Sequence, residues 1–202
     1  MRVGVLASGN GTNLQALLRA AEAGAAYTIV AVISNVAEAY ALERARRAGV
    51  AAYWVDHRGR SRENFEEEVA HILRSADVEL VCLAGFLRVL SPWFVRQFPG
   101  RILNIHPALL PDFGGRGMFG LRVHAAVLAA GRAQSGCTIH VVDESVDGGP
   151  ILARATVPVL PGDTPETLAA RVAVEEHRLY PRVVRAVAEG AIRLGLPEVV
   201  RT

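Results

Sequence analysis

Short apolar runs rich in β-branched residues alternate with longer Ala- and Leu-rich stretches through the first half of the chain. Continuous apolar runs of this length are typical of strands buried on both faces of a parallel sheet. The longer stretches are rich in helix formers, and Ser61 is a suitable N-cap for one of them. The pattern predicts strands over residues 3–7, 27–34, 51–55, 78–84 and 102–105, and helices over 13–23, 39–48 and 61–74.

The texture changes after His106. Residues 107–120 contain two Pro and four Gly, which predicts an irregular loop. Beyond it the pattern predicts a helix, then two strands joined by a turn, then a long helix interrupted or kinked near Pro181. These elements are expected over residues 122–130, 138–142, 151–157 and 165–189, with the turn over 143–150.

Repeated strand–helix units predict an α/β fold of Rossmann-like type, with a mostly parallel twisted sheet and helices on both faces. The sequence shows no internal repeat, low-complexity tract or linker, so we expect a single domain over residues 1–202.

Composition excludes several classes of protein. Hydrophobic residues make up 51% of the 202 positions and charged residues 21%, which excludes a disordered chain. The net charge of +2, without an Arg-rich tail, gives no case for nucleic-acid binding. All 22 basic residues are Arg, which excludes chemistry that needs a lysine.

The chain gives no sign of a membrane, disulfide or metal protein. No apolar run reaches the roughly 18 residues that a membrane-spanning helix needs, so we expect a soluble, cytoplasmic protein with no membrane partner. Cys82 and Cys137 lie in apolar, strand-like surroundings and are expected to be buried, inert thiols. No residues stand at metal-ligand spacing, so no metal is expected.

The first predicted turn, residues 8–13, has the chemistry of a phosphate site. Its glycines allow close approach of the backbone to an anion, and the following helix N-terminus supplies free N–H groups. Gly9 and Gly11 begin like a dinucleotide fingerprint, but Leu14 stands where the third glycine belongs. One terminal phosphate therefore suits the turn better than a pyrophosphate, and the alternative is a tight turn without a ligand.

Three further residues form a candidate catalytic set. Asn104 and His106 are two positions apart at the end of a predicted strand, so their side chains leave the same face. Asp147 precedes Gly148-Gly149-Pro150, a turn that could aim a carboxylate inward. An amide, an imidazole and a carboxylate are the groups needed to carry an acyl group through a tetrahedral intermediate. The alternatives are a structural histidine and an ordinary turn aspartate.

Other candidates are individually weaker. His140 precedes the same turn and is either a neighbour of the site or a core histidine. Arg62 begins a helix and is either a binding or a solvated residue. The segment after the fourth strand, including Phe86, Leu87, Arg88 and Leu90, could line a flat apolar pocket. Glu176 and His177 are either surface residues or, for the carboxylate, a partner for ribose hydroxyls.

Taken together, these residues resemble the phosphoribosylglycinamide formyltransferases, folate-dependent enzymes of purine biosynthesis. The resemblance runs in order through almost the whole chain. It is carried by residues 8–15 (SGNGTNLQ), 84–88 (AGFLR), 104–111 (NIHPALLP), 147–150 (DGGP), 176–177 (EH) and 180–181 (YP).

The resemblance implies transfer of a formyl group from 10-formyltetrahydrofolate to the amine of glycinamide ribonucleotide, without a metal. It implies that Asn104 and a protonated His106 stabilise the oxygen of the intermediate, while Asp147 keeps His106 charged and helps relay the amine proton. It also implies binding sites for both substrates. The substrate phosphate and ribose would be held by Gly11, Thr12, Asn13 and Glu176, and the folate by Arg62, Leu87, Arg88, Val89, Leu90, Asn104, Asp143 and Asp147.

The resemblance further suggests a phosphate- and nucleotide-binding half over about residues 1–100 and a catalytic, folate-binding half over about 101–202, in a possible homodimer. Two positions depart from the family pattern. Ala173 stands where relatives carry an amide or amine near the ribose, and the loop over residues 112–120 looks longer than in some relatives.

Three alternatives remain. Formyltetrahydrofolate hydrolases share the trio but usually carry a domain ahead of the first strand, here expected at residue 3. Methionyl-tRNA formyltransferases add an RNA-contacting domain for which this chain has neither the length nor a basic tail. A non-catalytic nucleotide-binding module would use the first turn and treat His106 as structural.

Overall fold

Strands and helices alternate through most of the chain in a computed structural model, which describes residues 1–195. Residues 196–202 of the expected domain lie outside the described residues. The strands are β1 (Arg2–Leu6), β2 (Thr28–Ser34), β3 (Ala51–Trp54), β4 (Leu80–Leu83), β5 (Ile102–His106), β6 (Gln134–Val141) and β7 (Ile151–Pro158). The helices are α1 (Thr12–Glu22), α2 (Tyr40–Arg47), α3 (Arg62–Ser75), α4 (Pro92–Gln97), α5 (Leu121–Ala129) and α6 (Pro165–Ala188).

The strands form one sheet in the order β3-β2-β1-β4-β5-β6-β7 within residues 1–195. The strands from β3 to β5 are parallel, and β6 and β7 join antiparallel at one side. This confirms the predicted mostly parallel, Rossmann-like sheet. The order reverses between β1 and β4, and ligands of open α/β sheets bind outside the carboxyl ends of the strands at such a reversal.

Apolar side chains cover both faces of the sheet. Val3 and Val5 of β1 pack in one core with residues of α1 and α6, whereas Leu6 packs in a second core with residues of α3 and α4. Successive strand residues alternate between faces, so one strand supplies both cores. The predicted helices on both faces are therefore present.

The structure differs from the predicted elements at three places. Helix α4 was not predicted, because it has only six residues and begins with Pro92 after the cap Ser91, a pattern that also suits a turn. Strand β6 begins at Gln134, four residues before the predicted start at 138. Helix α6 continues through Pro181, so the predicted interruption does not occur. Burial of Tyr180, Val183 and Val184 around the proline stabilises this helix and offsets the lost backbone hydrogen bond.

The two cysteines are free and fully buried, as predicted. Burial raises the pKa of both thiols to about 12, so neither is a nucleophile at neutral pH. Within residues 1–195 no helix combines the length and the apolar character needed to cross a membrane.

Candidate active site

Strands β5 and β6 bring three polar side chains to one face of the sheet. Asn104 of β5 lies directly opposite His140 of β6, and His106 is two residues further along β5. Directly opposed residues share a face, as do residues two apart on one strand. His106 and His140 are buried, with 3% and 2% of their surfaces exposed. This register confirms the prediction that the side chains of residues 104 and 106 lie on the same face of the sheet.

The turn after β6 carries Asp147 back to these residues. Val142 donates a backbone hydrogen bond to Ile102, so the turn starts beside the first residue of β5. Asp147 adopts a left-handed backbone conformation with φ of 57°. A Cβ on Gly149 would lie 1.9 Å from the Val141 carbonyl oxygen, so only glycine fits where the turn crosses β6. The sequence Asp-Gly-Gly-Pro thus places a carboxylate against β5.

Asp147 contacts all three side chains. Its Oδ2 lies 3.6 Å from Nδ1 of His106 and its Oδ1 lies 3.6 Å from Nε2 of His140. Asn104 donates from Nδ2 to the same Oδ1 at 3.4 Å. The carboxylate side chain is 12% exposed, so these contacts form in a largely water-excluded site. The structure therefore brings together the amide, imidazole and carboxylate that the sequence singled out.

His140 orients the amide of Asn104. Its Nδ1 is 3.1 Å from the Val141 carbonyl oxygen, which can only accept, so Nδ1 carries the hydrogen. Its Nε2 then accepts from Nδ2 of Asn104 at 3.1 Å. The N–H groups of the amide are thereby turned toward His140 and Asp147, and the amide oxygen faces away from both.

Burial makes His106 a weak base. Its pKa is lowered below the ordinary 6.5 because burial disfavours the charged ring, and His140 adds to this effect. Asp147 and the Phe113 carbonyl raise the pKa, but by less than burial lowers it. The imidazole is therefore neutral at neutral pH in this structure. Asp147 thus favours the charged ring, as the resemblance implies, but burial outweighs its contribution in this structure.

Asp147 stays ionised in the same surroundings. Burial raises its pKa, but His140 and His106, when protonated, and the Gly115 N–H lower it by more, so the net shift is downward. A carboxylate next to a neutral imidazole can stabilise a proton that arrives on that ring. The pair is therefore equipped to accept and return one proton.

The loop over residues 107–120 closes against the pair with its backbone. Nε2 of His106 donates to the Phe113 carbonyl at 2.8 Å, and the Gly115 N–H donates to Oδ2 of Asp147 at 3.0 Å. Thr138 holds the start of the loop, accepting from Leu110 N–H at 3.0 Å and donating to the Ala108 carbonyl at 2.7 Å. Sequence reasoning missed these contacts, since backbone groups of an irregular loop leave no residue signal.

The first turn lies beside this site at the reversal of the sheet. Gly11 is the N-cap of α1 in a left-handed conformation with φ of 74°, and no side chain caps the helix. The first turn of α1 carries no acidic residue, so its N–H groups are available to an anion. Ser8 ties the turn to the segments after β2 and β4, donating to Asn35 Oδ1 at 2.7 Å and accepting from Leu87 N–H at 2.9 Å.

A hydrogen bond between Asn13 and Glu176 joins α1 to α6. Nδ2 of Asn13 donates to Oε2 of Glu176 at 3.1 Å, although the residues are 163 positions apart. Oδ1 of Asn13 is buried without a partner among the described residues. Burial raises the pKa of Glu176, with Asn13 partly opposing the shift. The structure thus joins two predicted phosphate and ribose residues, while Thr12 begins α1 and is exposed.

The predicted folate residues fall into two groups. Arg62 donates to the Val89 carbonyl and lies 3.3 Å from Oε1 of Glu66, so it joins α3 to the segment 87–90. Leu87 and Val89 are 62% and 49% exposed there, which leaves apolar surface open.

Apart from Asn104 and Asp147 of the reacting trio, the other predicted folate residues are Leu90, Arg88 and Asp143. Leu90 packs against the second core. Arg88 instead lies over the Phe65 ring at 5.0 Å. Asp143 is exposed in the turn and accepts the Ser145 N–H at 2.8 Å.

Two further histidines, buried His124 and half-buried His177, were not among the predicted catalytic residues. His124 of α5 is 4% exposed, and burial and the charge of a protonated His106 lower its pKa. His177 was considered only beside Glu176, and burial followed by the charges of Arg19 and Arg44 lowers its pKa. Among residues 1–195 no group of three or more His, Cys, Asp or Glu is placed to hold a metal ion.

A Rossmann-like sheet thus carries a half-buried Asn–His–Asp cluster and an uncapped helix N-terminus at its reversal, which are groups that enzymes of the acyl-transfer class use. A sequence model of the family described as Formyl transferase matches residues 1–184. The chain therefore belongs to the Formyl transferase family. Membership of this family implies a formyl donor of the folate type.

Individual relatives agree with this assignment. The chain is 41% identical over 196 residues to the phosphoribosylglycinamide formyltransferase of Escherichia coli, covering 96% of this chain and 90% of that protein. The crystal structure of glycinamide ribonucleotide transformylase 1 from Symbiobacterium toebii superposes with a TM-score of 0.91 at 47% identity, covering 96% of this chain and 91% of that one.

The match to a longer relative is partial. The chain is 48% identical over 196 residues to the trifunctional purine biosynthetic protein adenosine-3 of Drosophila pseudoobscura pseudoobscura, covering 95% of this chain but 14% of that protein. The chain therefore spans about a seventh of the length of that relative.

Proposed function

We propose that this chain transfers a formyl group from 10-formyltetrahydrofolate to the amine of glycinamide ribonucleotide, a step of de novo purine biosynthesis. The products are formylglycinamide ribonucleotide and tetrahydrofolate. The single observation that carries the proposal is the convergence of Asn104, His106 and Asp147 in a chain of the Formyl transferase family. The names of the Escherichia coli and Symbiobacterium toebii relatives support the choice of acceptor.

The reaction begins with attack of the substrate amine on the formyl carbon. As the C–N bond forms, the carbonyl oxygen gains negative charge. An N–H of Asn104 would donate to that oxygen after giving up its 3.4 Å contact with Asp147. A donor aimed at the developing charge lowers the barrier of the reaction.

Proton transfer runs through His106. The neutral ring accepts a proton from the attacking amine, and the resulting imidazolium is stabilised by Asp147, 3.6 Å away. The imidazolium also helps to stabilise the oxyanion. When the bond from carbon to the folate N10 breaks, the proton passes to that nitrogen, so the amine loses one proton and N10 gains one. His106 suits this role better than Asp147, because the pKa of the carboxyl is lowered from an ordinary 3.8, well below the 6.5 of an imidazole, and the carboxylate is therefore the weaker base.

The acceptor substrate fits the reversal of the sheet. The N–H groups at Gly11, Thr12 and Asn13 would hold the phosphate, and Glu176 would accept hydrogen bonds from the ribose hydroxyls. The buried, unpartnered Oδ1 of Asn13 supports a polar ligand here. Ala173 lies on the same helix as Glu176 and offers no polar group, so the ribose contact rests on Glu176.

The formyl donor fits the segment after β4. The exposed apolar side chains of Leu87 and Val89 and the backbone to Leu90 would line the pterin site, together with Asp143 in the opposite turn. Arg62 would meet the glutamate tail, because its guanidinium already lies against the Val89 carbonyl. Arg88 is assigned to supporting this segment through its contact with Phe65.

We assign both halves to one formyltransferase domain, with the phosphate site in residues 1–100 and the reacting trio in the rest. One sheet that supplies both apolar cores supports this assignment. The cytoplasmic location and the homodimer stay predictions.

Steady-state assays of the purified chain with 10-formyltetrahydrofolate test the proposal. We expect tetrahydrofolate to form only when glycinamide ribonucleotide is present, in equal amount to formylglycinamide ribonucleotide. Formate release without the acceptor would assign the chain to the hydrolases. Nucleotide binding without turnover would assign it to the non-catalytic modules.

A further inference from the structure

Arg44 of α2 binds Asn10 of the first turn through two hydrogen bonds. Its Nε donates to the Asn10 carbonyl at 2.8 Å and its Nη2 donates to Oδ1 of the same residue at 2.7 Å. Nη1 donates to Oε1 of Gln15 at 2.9 Å. A planar guanidinium that binds backbone and side chain of one residue fixes both the position and the orientation of that residue.

Helix α2 also contacts the residues on either side of Asn10. The Ala41 N–H donates to the Gly9 carbonyl at 3.1 Å. Gly11 packs so closely that a Cβ there would lie 2.9 Å from Cα of Ala41. Three successive residues of the first turn are thus held by one turn of α2. The backbone that precedes α1 is therefore set by Ala41 and Arg44.

The charge of Arg44 has no carboxylate partner within residues 1–195. Its hydrogen-bond acceptors are neutral, it lies over the Tyr40 ring at 4.8 Å, and its charge helps to lower the pKa of His177. By contrast, Arg47 on the same helix pairs with Glu43 at 2.8 Å. The first turn of α1 is also free of acidic residues. A half-buried positive charge is thus left uncompensated beside an uncapped helix N-terminus.

We propose that Arg44 is a positioning residue for a phosphate monoester bound at the first turn. It orients the N–H groups of residues 11–13 through Asn10, and its charge balances the phosphate dianion without direct contact. The inference rests on the proposed function, since it concerns the phosphate of the acceptor substrate.

Substitutions of Arg44 and Arg47 test the inference. Arg44→Gln removes both the charge and the paired hydrogen bonds to Asn10. Arg44→Lys keeps the charge and removes only the planar guanidinium that makes those paired hydrogen bonds. Arg47→Gln is the matched control, because it removes the same charge from the same helix without touching the first turn. We expect Arg44→Gln to raise KM for glycinamide ribonucleotide about tenfold, the scale of a charge-assisted hydrogen bond such as the one from Arg44 to Asn10. The kcat and the KM for 10-formyltetrahydrofolate should change by less than about twofold.

Arg44→Lys should lie between the wild type and Arg44→Gln, and Arg47→Gln should match the wild type. Equal effects of Arg44→Gln and Arg47→Gln would overturn the inference, as would a fall in kcat without a change in KM for the acceptor. If Arg44→Gln does not fold, a KM for Arg44→Lys equal to that of the wild type overturns it.

Failure of the proposed function is recognised separately by the absence of turnover in the wild type. In that case calorimetric binding of inorganic phosphate decides. Weaker binding by Arg44→Gln than by Arg47→Gln supports the positioning role, and equal binding refutes it.

Discussion

Nδ1 of His106 lies 3.6 Å from Oδ2 of Asp147, while Nε2 of the same ring donates to a backbone carbonyl at 2.8 Å. The neutral ring is thus held by the hydrogen bond from Nε2, and its unprotonated Nδ1 faces the carboxylate of Asp147. A proton that arrives on Nδ1 creates a buried ion pair where none existed before. This arrangement lets a weak base act during the reaction without carrying charge in the resting protein.

Asp147→Asn tests the importance of that pair. The amide keeps the shape but cannot stabilise the imidazolium, so we expect kcat to fall by about 10²–10³, as when a charge-stabilising group is lost. Asp112→Asn removes an exposed loop carboxylate that pairs with Arg132, and its kcat should stay within about twofold of the wild type. Steady-state assays decide, and a similar kcat for both variants would contradict the role of Asp147.

The protonation of His106 can be followed directly. Because burial lowers its pKa, NMR titration of the ring should give a midpoint below 6.5. Asp147→Asn removes a contribution that raises the pKa, so its midpoint should be lower still. Since the neutral ring is the base, kcat should fall as the pH drops through the midpoint in the substrate complex. The His106→Gln spectrum assigns the resonance, and a wild-type midpoint above 6.5 would refute the neutral resting state.

Arg62→Ala tests the folate site. Loss of the guanidinium removes the proposed partner of the glutamate tail, so KM for 10-formyltetrahydrofolate should rise about three- to tenfold, the scale of a partly exposed charge contact. The KM for glycinamide ribonucleotide should not change. Arg74→Ala, at the other end of α3 and bonded to Gln97, is the control. Equal KM values for the donor in the two variants would remove Arg62 from the site.

Gly149→Ala tests the origin of the position of Asp147. An added Cβ would lie 1.9 Å from the Val141 carbonyl oxygen, so the turn must move. We expect a loss of about 1–3 kcal/mol in the free energy of unfolding and a fall in kcat comparable to that of Asp147→Asn. Gly9→Ala meets no atom within 4 Å and should be close to neutral in stability. Denaturant titration of both variants checks the result, and equal stabilities would argue against the close approach.

Tyr180→Phe tests how α6 supports the strand that bears Asn104. The buried hydroxyl is 3.1 Å from the carbonyl oxygens of both Leu83 and Leu103, and can donate to either. Its loss should lower the free energy of unfolding by about 1–2 kcal/mol. Tyr40→Phe removes an exposed hydroxyl that accepts from Arg47 and should cost less than about 0.5 kcal/mol. Thermal unfolding of the pair measures the difference.

The sequence predicted most of the fold because its signals are local. Buried strands are continuous apolar runs, and Ser61 caps α3 by accepting the Asn64 N–H at 3.1 Å, as expected. The six-residue α4 was missed because Ser91 and Pro92 are equally common in turns. Helix α6 continues through Pro181 because tertiary packing outweighs the local cost of proline.

The candidate site was predictable in its residues but not in its electrostatics. Asn104 and His106 share a face because they are two apart on a strand, and the glycines after Asp147 indicated a special turn. The neutral state of His106 depends on burial by segments far away in the sequence, which no motif records. The hydrogen bonds from Arg44 to Asn10 join residues 34 positions apart, so they likewise could not be predicted from a local motif.

Single-turnover transfer of a ¹³C-labelled formyl group tests the central claim most directly. With excess enzyme and both substrates, NMR should show the label leaving 10-formyltetrahydrofolate and appearing in the formamide of formylglycinamide ribonucleotide. The rate of this transfer should be lower in Asp147→Asn by a factor of at least about 10². Label that appears as formate, or that stays on the folate while glycinamide ribonucleotide is bound, would contradict the account.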